Sequence, residues 1–109
     1  MKSFVLTLGF AAFSTFSMAQ SAPTGAALAA KHGCLICHNV DNKVVGPAFK
    51  AVAEKYSAQK NEATQALVLK IKNGGAGQWG RVPMPPHPNV PESELTDIVT
   101  WVLGLNGSP

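Results

Sequence analysis

Gly33-Cys34-Leu35-Ile36-Cys37-His38 decides the reading of this chain, because it holds both cysteines and places a histidine directly behind the second. Residues three apart on a helical turn share a face, so both thiols can meet one edge of a flat partner. His38 follows on the side from which a neutral imidazole can rise to a metal at that partner's centre. Cys-x-x-Cys-His is the spacing of covalent c-type haem attachment, with thioethers from Cys34 and Cys37 and an iron ligand from His38. Two other chemistries use paired cysteines. A thioredoxin-like dithiol needs a strand leading into the first cysteine, and none is signalled here. A zinc site needs further ligands, and the chain can add only His32 and His87.

Toward the N-terminus, residues 1–19 read as a signal peptide. Lys2 supplies the positive start, an apolar run follows to Phe13, and Ser17-Met18-Ala19 offers small residues for cleavage after Ala19. A retained membrane anchor is the alternative, but Ser14, Thr15 and Ser17 break the run well short of a bilayer's width. Export also adds weight to the motif, because c-type attachment in bacteria is completed outside the cytoplasm.

Residues 20–109 are expected to form one small domain, and a chain this short buries only about two-thirds or less of its unfolded surface, so it usually needs a staple. A disulfide between Cys34 and Cys37 would close so small a loop that it restrains little of the unfolded chain. A covalently bound, largely apolar cofactor meets the need better. The lysines and Arg81 are nearly balanced by Asp41, Glu54, Glu62, Glu92, Glu94 and Asp97, with no block of like charge and no internal repeat. That composition excludes nucleic acid as the main partner.

The pattern is all-α, with no run of alternating strand residues. A first helix is expected from near Pro23 and Thr24 through the alanines and Leu28 to the cysteine motif. A second spans residues 47–56, with Phe49, Val52, Ala53 and Tyr56 on one face. A third is capped by Asn61 and stopped by Asn73-Gly74. The fourth is the most regular: Leu95, Ile98, Val99 and Val102 fall at i, i+3, i+4 and i+7, behind Glu92 and Glu94 and ahead of Gly104.

Residues 74–91 are too rich in Gly and Pro for a helix or a central strand, and long loops in small domains are kept for function. This one carries Trp79, Met84 and His87. Met84, the one methionine beyond the signal peptide, sits in Val82-Pro83-Met84-Pro85-Pro86, where prolines fix the backbone. A thioether ligand there would complete the iron's coordination and favour its reduced state. Core filling is the plainer role for a methionine, and His87 is the competing ligand. His32, two residues before Cys34, reads as a solvated helix residue.

Beyond the motif, Val45-Gly46-Pro47-Ala48-Phe49-Lys50, Val52-Ala53-Glu54-Lys55-Tyr56, Ile71-Lys72-Asn73-Gly74, Trp79-Gly80, Pro83-Met84-Pro85-Pro86 and Trp101-Val102-Leu103 follow in turn. In that order the chain resembles the short class I cytochromes c of the bacterial periplasm. The resemblance implies a cytochrome c fold of about four short helices around one covalent haem c. It makes His38 and Met84 the axial ligands and has the Pro47 carbonyl accept a hydrogen bond from His38 Nδ1. Trp79 would donate its indole N–H to a haem propionate or serve simply as a core aromatic. Gly33 would let the first and last helices cross closely, or merely end the first helix.

The implied role is one-electron carriage, not catalysis, by a monomer with no stable membrane insertion. Its donor would be a quinol-oxidising cytochrome complex, and its acceptor a nitrite reductase, an oxidase or a peroxidase. Pro47, Ala48, Val82, Pro85 and Pro86 would dock the partner, with Lys43, Lys50 and Arg81 steering. The rivals are a haem sensor or peroxidase-like protein with a displaceable Met84, and a dithiol protein without haem. Two departures from the family pattern stand out. The first helix has no aromatic to pack on Trp101, so that packing is expected to be loose. His87-Pro88-Asn89 stands where relatives often place an Asn able to hydrogen-bond the ligand sulfur.

Overall fold

The computed structural model describes residues 2–15 and 24–105. Residues 2–15 are exposed and without regular structure; the expected cleavage site and Pro23 lie outside the described residues. From Thr24 onward there are four helices, α1 Gly25–Lys31, α2 Phe49–Lys55, α3 Lys60–Asn73 and α4 Glu92–Leu103, plus a single 3-10 turn at Cys34–Ile36. No strand occurs among the described residues, the only extended pairing being an isolated bridge between Gly75 and Met84. The all-α expectation holds.

α4 organises the interior because its apolar residues serve two clusters at once. Ile98 and Val102 pack with Leu28, Ala29, Phe49 and Val52 from α1 and α2. Leu95, Val99 and Leu103 pack with Ala63 and Val68 from α3. The i, i+3, i+4, i+7 stripe is thereby buried along its whole length, each of these side chains removing apolar surface worth roughly 1.5–3 kcal/mol.

α1 begins where Thr24 Oγ1 accepts from Ala27 N at 3.2 Å, an N-cap that satisfies one free amide. It crosses α4 at Gly25, and this corrects the role expected of Gly33. A Cβ on Gly25 would collide with Trp101 Cβ and lie 2.5 Å from the Asp97 carbonyl oxygen. At Gly33 a Cβ would meet only Ile36 Cδ1, at an ordinary 3.5 Å. Gly33 instead has φ 75°, the left-handed conformation with which glycine ends a helix. Nor is the packing at Trp101 loose, because Phe49 of α2 supplies the missing aromatic contact, edge-on with ring centroids 5.5 Å apart.

Three smaller expectations also change. α2 starts at Phe49 with Ala48 as N-cap, leaving Pro47 ahead of the helix and its carbonyl free for other use. α3 is capped by Gln59, not Asn61, because the turn from Tyr56 to Gln59 brings the chain into the helix two residues early. His32 is not solvated: its Nε2 lies 2.5 Å from Glu94 Oε2, and Lys31 Nζ lies 3.4 Å from Oε1 of the same carboxylate. Glu94 therefore straps α1 to α4, and the hydrogen bond from His32, then Lys31, holds its carboxyl below the ordinary glutamate range.

Candidate haem site

The left-handed Gly33 turns the chain out of α1 and into the 3-10 turn, so that Cys34, Cys37 and His38 come to line one cavity. The intervening Leu35 and Ile36 are 46% and 79% exposed. His38 N donates to Cys34 O at 3.0 Å, which closes the turn. Both cysteine side chains are half-buried, and burial pushes the Cys34 thiol above its ordinary value.

His38 is held on three sides. Its Nδ1 lies 2.8 Å from Pro47 O. A carbonyl can only accept, so Nδ1 carries a proton, and in the neutral ring it is Nε2 that has the lone pair. Phe49 stacks on the ring with centroids 4.9 Å apart and planes 18° from parallel. Gly46 completes the cradle: a Cβ there would lie 2.5 Å from Cε1, 2.8 Å from Nδ1 and 3.0 Å from Nε2. Gly46 N also donates to Cys37 O at 2.7 Å, tying this segment to the motif. Sequence reasoning missed the parts played by Gly46 and Phe49. The only available signal was a glycine directly before the proline, whose partner ring is invisible without the fold.

The opposite ligand candidate is placed by Gly74. Its φ of 70° suits glycine alone, and a Cβ there would lie 2.5 Å from Met84 O and 2.8 Å from Pro86 N. The loop therefore runs directly against the end of α3. Gly75 and Met84 exchange two backbone hydrogen bonds, at 3.0 and 2.8 Å, and His87 N donates to Ile71 O at 3.0 Å. Residues 74–91 are thus pinned at their root, not structureless. Met84 and Trp79 line the same cavity as the cysteines and His38. His87 does not line it, and its Nδ1 is buried without a partner. No side-chain hydrogen bond joins Asn89 to Met84 among the described residues.

The cavity has a volume of about 540 Å³, and its walls are mainly apolar, with Phe49, Leu67, Ile71, Ile98 and Val102 among them. Lys43, Lys70 and Arg81 are the cations on its lining. Among the described residues no cluster of three His, Cys, Asp or Glu could hold a bare metal ion, which removes the zinc alternative. Two thiols, an imidazole with a free Nε2, a thioether and apolar walls fit an iron porphyrin instead. Of the rim expected, Val82, Pro85 and Pro86 are exposed and Pro47 is half-buried, but Ala48 is buried; Val44 and Val45, each more than half exposed, stand beside it. Lys50 pairs with Asp41 at 2.6 Å, which leaves Lys43 and Arg81 as the cations beside that rim.

Known proteins match most of this chain. The sequence profile of the cytochrome c family matches residues 22–106. The chain is 47% identical over 94 residues to cytochrome c-551 of Allochromatium vinosum, covering 86% of this chain and 99% of that protein. It is 45% identical over 98 residues to cytochrome c-552 of Nitrosomonas europaea, covering 90% and 94%. The crystal structure of wild-type Nitrosomonas europaea cytochrome c552 superposes with a TM-score of 0.70 at 47% identity, over 74% of this chain and 99% of that one.

Proposed function

Because the chain belongs to the cytochrome c family, as a small class I cytochrome c with haem c bound covalently through Cys34 and Cys37, we propose that it is a periplasmic one-electron carrier with His38 and Met84 as axial ligands. One observation carries this reading. His38 and Met84, far apart in sequence, line one cavity with both cysteines, and His87 does not.

When bound, the haem supplies an Fe(III)/Fe(II) couple whose potential depends on axial ligands, burial and surrounding hydrogen bonds. The protein's own groups do the rest. Pro47 O holds the His38 proton on Nδ1, so Nε2 stays basic and the ring keeps one orientation. Gly46 and Phe49 prevent the ring from tilting. The Met84 thioether is a soft donor that favours the lower oxidation state. The apolar walls exclude water, and Trp79, Lys70 and Arg81 are among the polar-ended lining residues able to meet propionates. With His38 and Met84 both holding the haem iron, no substrate would have a place on the metal, so the protein would act as a carrier and not a catalyst.

Residues 1–19 act as an export signal cut after Ala19, and no helix among the described residues is long and apolar enough to cross a membrane. Val44, Val45 and Val82, flanked by Lys43 and Arg81, form the surface for brief docking on a respiratory donor and a terminal reductase or oxidase. Absorption spectra of the purified holo-protein with and without carbon monoxide test the reading. A weak far-red sulfur-to-iron(III) band and no carbon monoxide response are expected, whereas rapid carbon monoxide binding favours a sensor or peroxidase-like role. Met84→Ala should abolish the band. Mass spectrometry of the exported protein should find Gln20 as its first residue.

A further inference from the structure

The tip of the Met84 loop is tied to α2 by one side chain. Gln78 Oε1 accepts from Tyr56 Oη at 2.8 Å and from Lys55 Nζ at 3.3 Å. The same ammonium lies 4.7 Å from the centroid of the Trp79 ring and 5.6 Å from that of Tyr56, so it also holds the indole by cation–π attraction. No other side-chain hydrogen bond joins residues 74–91 to the rest of the described protein. Beyond the Gly75–Met84 bridge the tip depends on this contact. The helix that provides it is also informative: α2 opens with Phe49 stacked on His38 and is followed at its other end by the Tyr56 that holds Gln78.

We propose that Tyr56, Gln78 and Lys55 form a clasp that keeps the Met84 loop closed over the cavity, with α2 as the strut relating it to His38. These are positioning residues; none is offered as a ligand. The clasp sets how often the tip lifts and therefore how readily an outside ligand competes with Met84 for the iron. A hydrogen bond made only in the closed state favours that state by its net strength, and losing it raises the open population in proportion. The inference rests on Met84 being the second axial ligand.

Imidazole titration of the ferric holo-protein, followed by loss of the far-red band, tests it. Gln78→Leu removes the shared acceptor and should tighten imidazole binding roughly tenfold. Tyr56→Phe removes one donor and should tighten it about threefold. Gln78→Glu keeps an acceptor for both donors and should stay within about twofold of wild type. Glu94→Gln, which loosens the α1–α4 strap far from the loop, should lower thermal stability without changing imidazole affinity. Amide hydrogen exchange should speed up at residues 76–82 in Gln78→Leu while that of Val99 is unchanged. Wild-type imidazole affinity in Gln78→Leu and Tyr56→Phe, with the band intact, overturns the clasp. A wild-type spectrum with no far-red band overturns the Met84 reading itself, and the clasp's role with it.

Discussion

The α1–α4 corner and the Met84 loop are held by different forces. At the corner, Gly25 lets two backbones touch, Leu28, Ile98 and Val102 are buried behind the contact, and Glu94 straps the outside. The loop buries none of its side chains fully; it relies on two backbone hydrogen bonds at its root, the Ile71 carbonyl, and the Gln78 clasp. Disturbing the corner should therefore cost global stability, because many contacts form together there. Disturbing the loop should instead change the site, because local opening needs few contacts to break.

Gly25→Ala gives the largest expected effect. In an open helix this exchange stabilises by up to roughly 1 kcal/mol. Here the new Cβ meets Trp101 Cβ and the Asp97 carbonyl, so the sign reverses and about 3 kcal/mol should be lost. Guanidinium unfolding of the holo-protein measures the loss, and the far-red band should survive. Unchanged stability would mean that the helices can slide apart freely, and the corner would lose its standing as the rigid half.

Gly74→Ala attacks the other half. The substitution forces a side chain into positive φ and places a Cβ against Met84 O and Pro86 N, at a cost of about 2 kcal/mol if the loop stays in place. Moving the loop relieves that cost. The far-red band should fade, or imidazole should displace it at much lower concentration, while the unfolding midpoint drops less than in Gly25→Ala. A variant that lost stability as severely as Gly25→Ala and kept its band would show loop and corner to be one cooperative unit.

The same contrast governs what could be read from the residues. The helices were legible because their signals are local: the α4 stripe, the Asn73-Gly74 stop and the alanines of α1 all lie within a few residues of what they determine. The cysteine motif was legible for the same reason, and the prolines around Met84 marked it as something other than helix core. Gly25, Gly46 and Gln78 carried no such mark. Each matters through a partner distant in the chain, Trp101, His38 and Tyr56 respectively, and only the fold makes the pair. Gly33 stayed ambiguous because a glycine that ends a helix and one that admits a crossing look alike in sequence. His32 misled because an exposed-looking helix end turned out to face Glu94.

The smallest effect sharpens the corner by pH. Glu94 has its carboxyl held below the ordinary glutamate range by His32, and secondarily by Lys31. A carboxyl depressed in the folded state is deprotonated there while the unfolded chain still binds a proton, so stability rises with pH across that interval. The contribution is complete above the unfolded glutamate value, about 4.3, and disappears as pH falls through the lower folded one. Glu94→Gln cannot ionise and lacks this dependence. Thermal unfolding of wild type and Glu94→Gln should therefore differ near pH 6 and converge in acid, with wild type the more stable at the higher pH. Asp41→Asn offers the contrast: its partner Lys50 and its own side chain are both more than half exposed, where solvent screens the pair, so little difference is expected at any pH. A Glu94→Gln difference that persisted undiminished to low pH would assign the strap's strength to packing of the side chain and not to its charge.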